Sequence, residues 1–164
     1  MKHTLRSVGL AALMIAAGQA NAANDTVAPA NAGVISRYMA AWNAHDPENA
    51  ASYLAANVEC IDASVGEAQK GREAARDNVI KVFMAAVPDL TWTMRGTPIV
   101  SKDGIAFEWT FSGTNTGAWD ASTPATGKKI SFDGVSYIRI KDKQIAYEGD
   151  YYDALGLHKQ LGWQ

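Results

Sequence analysis

Asp150 stands in the run Gln144-Ile145-Ala146-Tyr147-Glu148-Gly149-Asp150-Tyr151-Tyr152, whose alternation is that of a half-buried strand. An acid in mid-strand is costly unless it is paired, hydrated or used. Its use would be general acid–base chemistry. A carboxyl desolvated until its pKa nears the working pH can take a proton from the carbon beside a carbonyl, or exchange one with an oxygen. Regular alternation puts Glu148 and Tyr152 on the same side of the strand, where they would hold or polarise Asp150. The Tyr152 phenol is a donor for a carboxylate or an enolate oxygen. Plainer readings stand beside these. Asp150 would face water at a sheet edge or pair with Arg139 across the hairpin, and Glu148 would sit on a solvated face. Asp153, out of phase with Asp150, suits the N-cap of a closing helix, although a bulge would turn it toward the site.

No other constellation in the chain carries chemistry. His45 and His158 lie near expected helix ends without a His-Glu cluster, so no metal is expected. There is neither a glycine-rich phosphate loop nor a serine elbow, and no cofactor is inferred. Cys60 is the only cysteine, which excludes an intramolecular disulfide, and its neighbours Val58 and Ile61 suggest a buried, inert thiol in a strand.

The elements that must position Asp150 change period halfway along the chain. Val34, Ile35, Tyr38, Met39 and Trp42 recur at helical spacing. Asp46-Pro47 opens a short second helix through Tyr53 and Leu54, and a third begins at Arg72 and stops at Pro88. A brief strand is expected from Val58 to Ile61, followed by a loop from Asp62 to Gly71. Strand alternation then takes over, in Leu90, Trp92 and Met94 and again in Ile105, Phe107, Trp109 and Phe111, with a turn at Asp103-Gly104. A long connection from Gly113 to Gly127 leads to a strand over Lys129 to Ile140, and Lys141-Asp142-Lys143 turns into the last strand. Helices followed by an antiparallel meander imply an α+β fold, a curled sheet closed by helices around a cone-shaped cavity. Tyr38, Trp42 and Trp109 are core residues first and cavity-wall candidates second.

The first residues read as a leader rather than as fold. Lys2 and Arg6, the apolar stretch Ser7 to Gly18, and Ala20-Asn21-Ala22 make a secretory signal peptide over residues 1–22. Residues 23–33 form a polar, flexible lead-in, and residues 34–164 one domain. The protein is therefore expected in the periplasm or outside the cell, without a stable membrane span once the signal is removed. The 164-residue chain has a formal charge of -2 and no basic run, which argues against a nucleic-acid partner.

Four segments, in order, resemble one family. They are Tyr38-Met39-Ala40-Ala41-Trp42-Asn43-Ala44-His45-Asp46; Gly71-Arg72-Glu73-Ala74 with Val87-Pro88-Asp89-Leu90; Gly113-Thr114-Asn115-Thr116-Gly117 with Pro124-Ala125-Thr126-Gly127-Lys128; and Gly156-Leu157-His158-Lys159-Gln160-Leu161-Gly162. Together they are similar to the SnoaL-like polyketide and ester cyclases of the nuclear transport factor 2-like superfamily of α+β cones. The resemblance implies a curved, mostly antiparallel sheet wrapped around three N-terminal helices, an internal pocket and a short C-terminal helix. It also implies a small hydrophobic ligand and a homodimer. Family cyclases use an aspartate on the last strand, assisted by a histidine on the strand before. These positions fall on Asp150 and on Ser136, which cannot titrate near neutral pH. Asn115 stands where histidine is common, and Gly149 where a large aromatic is common, which would leave extra room beside Asp150. Two readings stay open: a cofactor-independent cyclase, isomerase or hydrolase-like enzyme acting through Asp150, and a non-catalytic small-molecule-binding or dimerising module.

Overall fold

A computed structural model describes residues 21–163, with side-chain surroundings from residue 30 onward. All but the end of the expected signal peptide lies outside the described residues. Helix α1 spans Asn21–Asn43, so Asn24 to Asn31 is helical where the sequence suggests a lead-in. Val34, Ile35, Tyr38, Met39 and Trp42 are buried as one face, as their spacing implies. The turns before them contain Pro29 and Gly33, which are poor helix formers, and local propensity does not account for them. Among the described residues no helix is long and apolar enough to cross a membrane.

The end of α1 is tied to the sheet by one side chain. Asn43 donates from Nδ2 to the Trp92 carbonyl at 2.9 Å and accepts from the Trp92 N–H at 2.7 Å, as a neighbouring strand would. Asp46 then caps α2 (Pro47–Ser52), accepting from the Asn49 N–H at 3.0 Å, as expected from Asp-Pro. Strand β1 (Leu54–Asp62) is longer than the sequence suggests, and a two-residue β2 (Gln69–Lys70) pairs with it. Leu54 is therefore in a strand, and Asp62 closes that strand instead of opening a loop. The third helix runs as α3 (Arg72–Ala75), a π turn over Arg76–Ile80, and α4 (Lys81–Ala86).

Four long strands follow: β3 (Thr91–Val100), β4 (Gly104–Thr114), β5 (Lys129–Lys141) and β6 (Gln144–Tyr152), with α5 (Ala154–Leu161) last. The sheet order is β2-β1-β6-β5-β4-β3. Every pairing is antiparallel except β1 with β6, which sets Asp62 beside Asp150. Alternation puts Ile105, Phe107, Trp109 and Phe111 of β4 and Ile130, Phe132, Ser136 and Ile138 of β5 on the inner face. The β5–β6 turn holds Asp142 and Lys143 at φ 52° and 63°, the left-handed conformation that a two-residue hairpin requires.

The Gly113 to Gly127 connection is pinned by Asn115, which is fully buried. Its Nδ2 donates to the carbonyls of Ala86 and Gly117 at 2.9 and 2.8 Å, and its Oδ1 accepts from the N–H and hydroxyl of Thr126 at 2.8 and 2.9 Å. Asn115→Ala strands these partners, and we expect a stability loss of about 2–3 kcal/mol, read as a lower urea midpoint at unchanged m-value.

Candidate functional site

Trp109 and Ser136 fix the position of Asp150. The indole of Trp109 lies against Gly134, its partner across the β4–β5 ladder, where an added Cβ would come within 2.3 Å of the ring. From there Trp109 Nε1 donates to Ser136 Oγ at 2.8 Å, and Ser136 Oγ donates to Asp150 Oδ1 at 2.5 Å. Ser136 sits directly across the β5–β6 ladder from Asp150 and is fully buried. The serine therefore orients the acid without titrating. Arg139 is elsewhere: it faces Tyr147, with its guanidinium 4.6 Å from that ring's centroid, so Asp150 has no cationic partner there.

The Asp150 carboxyl lines a cavity of about 30 Å³, with room for about one water. Trp42, Trp92, Trp109, Phe111, Phe132 and Tyr152 form most of the wall, and Val79 and Phe83 close it from the helical side. Burial in this apolar setting is the main reason Asp150 holds its proton well above the usual carboxylate range, with charge on Glu148 adding to the effect and the Ser136 hydroxyl pulling the other way. Val79 belongs to the π turn, a helical irregularity often found beside functional sites.

Asp62 is the site residue that sequence reasoning missed. It is buried, lines the same cavity and is the Cα partner of Asp150 across the parallel β1–β6 ladder. Its Oδ1 accepts four hydrogen bonds, from Tyr152 OH at 2.7 Å, Ser64 Oγ at 2.6 Å, Ser64 N–H at 2.8 Å and Val65 N–H at 3.3 Å. The available signal was the acidic end of the short Val58-Glu59-Cys60-Ile61-Asp62 run; a parallel neighbour 88 positions away was not legible there.

The other expected residues divide between wall and support. Trp42, Trp109 and Tyr152 line the cavity. Tyr38 and Glu148 lie behind it as a pair, with Tyr38 OH donating to Glu148 Oε2 at 2.8 Å. Burial lifts the Glu148 carboxyl to about 7, and the Tyr38 bond restrains the rise. Asp153 stays outside: it caps α5, accepting from the Gly156 N–H at 2.8 Å. Gly149 leaves no room beside Asp150. It points to the opposite face, where a Cβ would come within 2.9 Å of Tyr147 and Tyr151.

Phe83 also lines a larger outer cleft of about 390 Å³, walled by Trp119, Leu157, His158 and Trp163. The ring is thus the partition between cleft and inner cavity. Phe83→Ala is expected to join the two spaces at a stability cost of about 3–5 kcal/mol. Tighter quenching of tryptophan fluorescence by acetophenone, alongside a lowered Tm, is the expected readout.

With this geometry in view, the relationships are specific. The SnoaL-like domain matches residues 35–148. No curated protein matches the chain. Among solved structures the chain is similar to TsrD from Streptomyces laurentii, with 27% identity and a TM-score of 0.70 over 83% of this chain and 97% of that one. It shares its fold with a candidate SnoaL-like polyketide cyclase from Jannaschia sp. CCS1 (15% identity, TM-score 0.74, 90% and 99% of the two chains). The same holds for a protein of ketosteroid isomerase-like fold from Catenulispora acidiphila DSM 44928, solved with trimethylamine (19%, 0.66, 79% and 92%). The family match spans well over half of the chain, and the cone of helices and sheet agrees with it: the chain belongs to the SnoaL-like domain family.

Proposed function

We propose that the protein is a cofactor-independent acid–base catalyst of the cyclase, isomerase or hydrolase kind, acting on a small carbonyl or ester compound through Asp150. The observation that carries this reading is an oriented carboxyl, desolvated by aromatic side chains, at the wall of a cavity. A group so placed gives a proton to an oxygen that is gaining charge and takes it back afterwards. Asp62 is the second participant. Two carboxyls in unlike surroundings are suited to opposite roles, and Asp62 has one oxygen saturated with donors while Asp150 has a single hydroxyl partner. In a carbon–carbon closure the α-proton leaves to the base, the enolate carbon bonds a second carbonyl carbon as its C=O π pair moves to oxygen, and that oxygen takes the proton. Moving a double bond is a proton removed at one carbon and returned at another, and neither needs an oxidant or reductant.

The leader supports export to the periplasm or the medium, with the mature chain starting at Ala23; N-terminal sequencing of the exported fraction checks this. The test of function is incubation with small ketones and esters followed by NMR. Chemical change dependent on the protein supports the enzyme. A ligand that binds and is recovered unchanged supports the binding module instead. Val135, Tyr137 and Tyr151, exposed on the outer sheet face, favour a homodimer through that face, which sedimentation across concentration tests.

A further inference from the structure

Glu148 is absent from the cavity wall, yet it lies two residues before Asp150 on the same side of β6. The parallel ladder sets it beside Cys60 as it sets Asp150 beside Asp62, so three carboxyls gather on two neighbouring strands. None of the five ion pairs among the described residues reaches them. Those pairs join Arg76, Lys81 or Arg95 to Glu48, Asp77 or Asp133 at the surface. The titratable groups around Glu148 and Asp150 are Tyr38 from α1, Cys60 and Asp62 from β1, and Tyr152 from β6, none of them basic. On the β5 side the facing residues are Ser136 and Ile138, which do not titrate.

The hydrogen bonds of Glu148 are lopsided. Oε2 accepts from Tyr38 OH at 2.8 Å and from the Cys60 thiol at 3.9 Å, while Oε1 is buried with no partner among the described residues. An acceptor needed only to satisfy Tyr38 would require neither the second oxygen nor the capacity for charge. Leaving a buried oxygen without a donor is destabilising. With no cation nearby, charge on Glu148 disfavours charge on Asp150, and the two carboxyls titrate as a pair.

We propose that Glu148 is a positioning residue for the chemistry: by holding or releasing its own proton behind the cavity, it decides whether Asp150 meets the substrate as acid or as carboxylate. This rests on the reading of Asp150 as the catalytic group. When Glu148 ionises, its charge keeps the proton on Asp150; when Glu148 is neutral, Asp150 releases its proton more readily. The Tyr38 hydroxyl, by favouring ionised Glu148, is the second element of the device.

The test is a carbon-13 NMR titration of the aspartate and glutamate side-chain carboxyls in the full protein, assigned with Asp150→Asn and Glu148→Gln. In Glu148→Gln the Asp150 resonance is expected to titrate at lower pH than in wild type. Glu148→Asp, which restores a titrating carboxyl, should return it toward the wild-type curve. Glutamine still accepts the Tyr38 bond, so the fold is retained. Tyr38→Phe approaches the pair from the other side: Glu148 is expected to titrate at higher pH, and the coupled step in the Asp150 curve should move with it. Superimposable Asp150 curves in wild type and Glu148→Gln overturn the proposal. If that variant does not fold, an Asp150 curve unmoved in Tyr38→Phe overturns it equally. Neither result depends on turnover, so a failed catalytic assignment of Asp150 would show separately, as activity surviving in Asp150→Asn.

Discussion

Asp150→Asn is expected to fold like wild type and to lose proton-transfer activity by about 10²–10⁴-fold. Asparagine has the shape of aspartate and still offers an oxygen to the Ser136 hydroxyl, so the relay from Trp109 through Ser136 remains in place. What disappears is the exchangeable proton. Stability should move the other way. Asp150 in the folded chain keeps its proton above the pH at which it ionises in the unfolded chain, so its contribution is present at low pH and lost as pH rises through the folded value. The amide has nothing to lose, and the melting temperature of Asp150→Asn should fall less than that of wild type as pH is raised. A variant that melts normally but keeps full activity would remove Asp150 from the mechanism.

Glu148→Gln should remove a large share of the pH dependence of stability. The carboxyl ionises near 4.5 when exposed and is raised to about 7 in the folded chain, chiefly by burial. The folded state therefore binds more protons than the unfolded state between these values, and wild-type stability declines across that window as pH rises. At about 1.4 kcal/mol per pH unit, the decline attributable to Glu148 is roughly 3 kcal/mol. Glutamine retains the Tyr38 bond and has no charge to desolvate. Urea unfolding at pH 5 and pH 8 should thus show a smaller loss in the variant than in wild type, the difference being the Glu148 share, while the Asp150 share remains in both. Equal pH dependence in the two proteins would mean that Glu148 is not the buried acid described above.

Much of the fold was legible because it rests on local period. The Val34 to Trp42 face, the Asp46-Pro47 cap, and the alternation in β4 and β5 each follow from side-chain direction within one element. Boundaries were less legible where tertiary partners override local signals. Leu54 joins a strand because β6 lies beside it. The site divides in the same way. Asp150, Ser136, Trp109 and Tyr152 lie on adjoining strands of a meander, so simple alternation and hairpin register bring them together. Asp62 reaches them only through the parallel β1–β6 pairing, a contact between the two ends of the domain that no local pattern encodes. Gly149 shows the reverse failure: its position in a family pattern suggested space in the pocket, while its place in the strand directs it to the outer face.

The central claim is that Asp150 moves protons within an aromatic cavity, and hydrogen–deuterium exchange at the carbon beside a carbonyl tests it most directly. Acetone, butanone and acetophenone in deuterium oxide would be followed by proton NMR with wild-type protein, with Asp150→Asn and with no protein. At least one ketone is expected to exchange its α-protons faster with wild type than in either control. Equal rates in all three samples for every ketone would contradict the account.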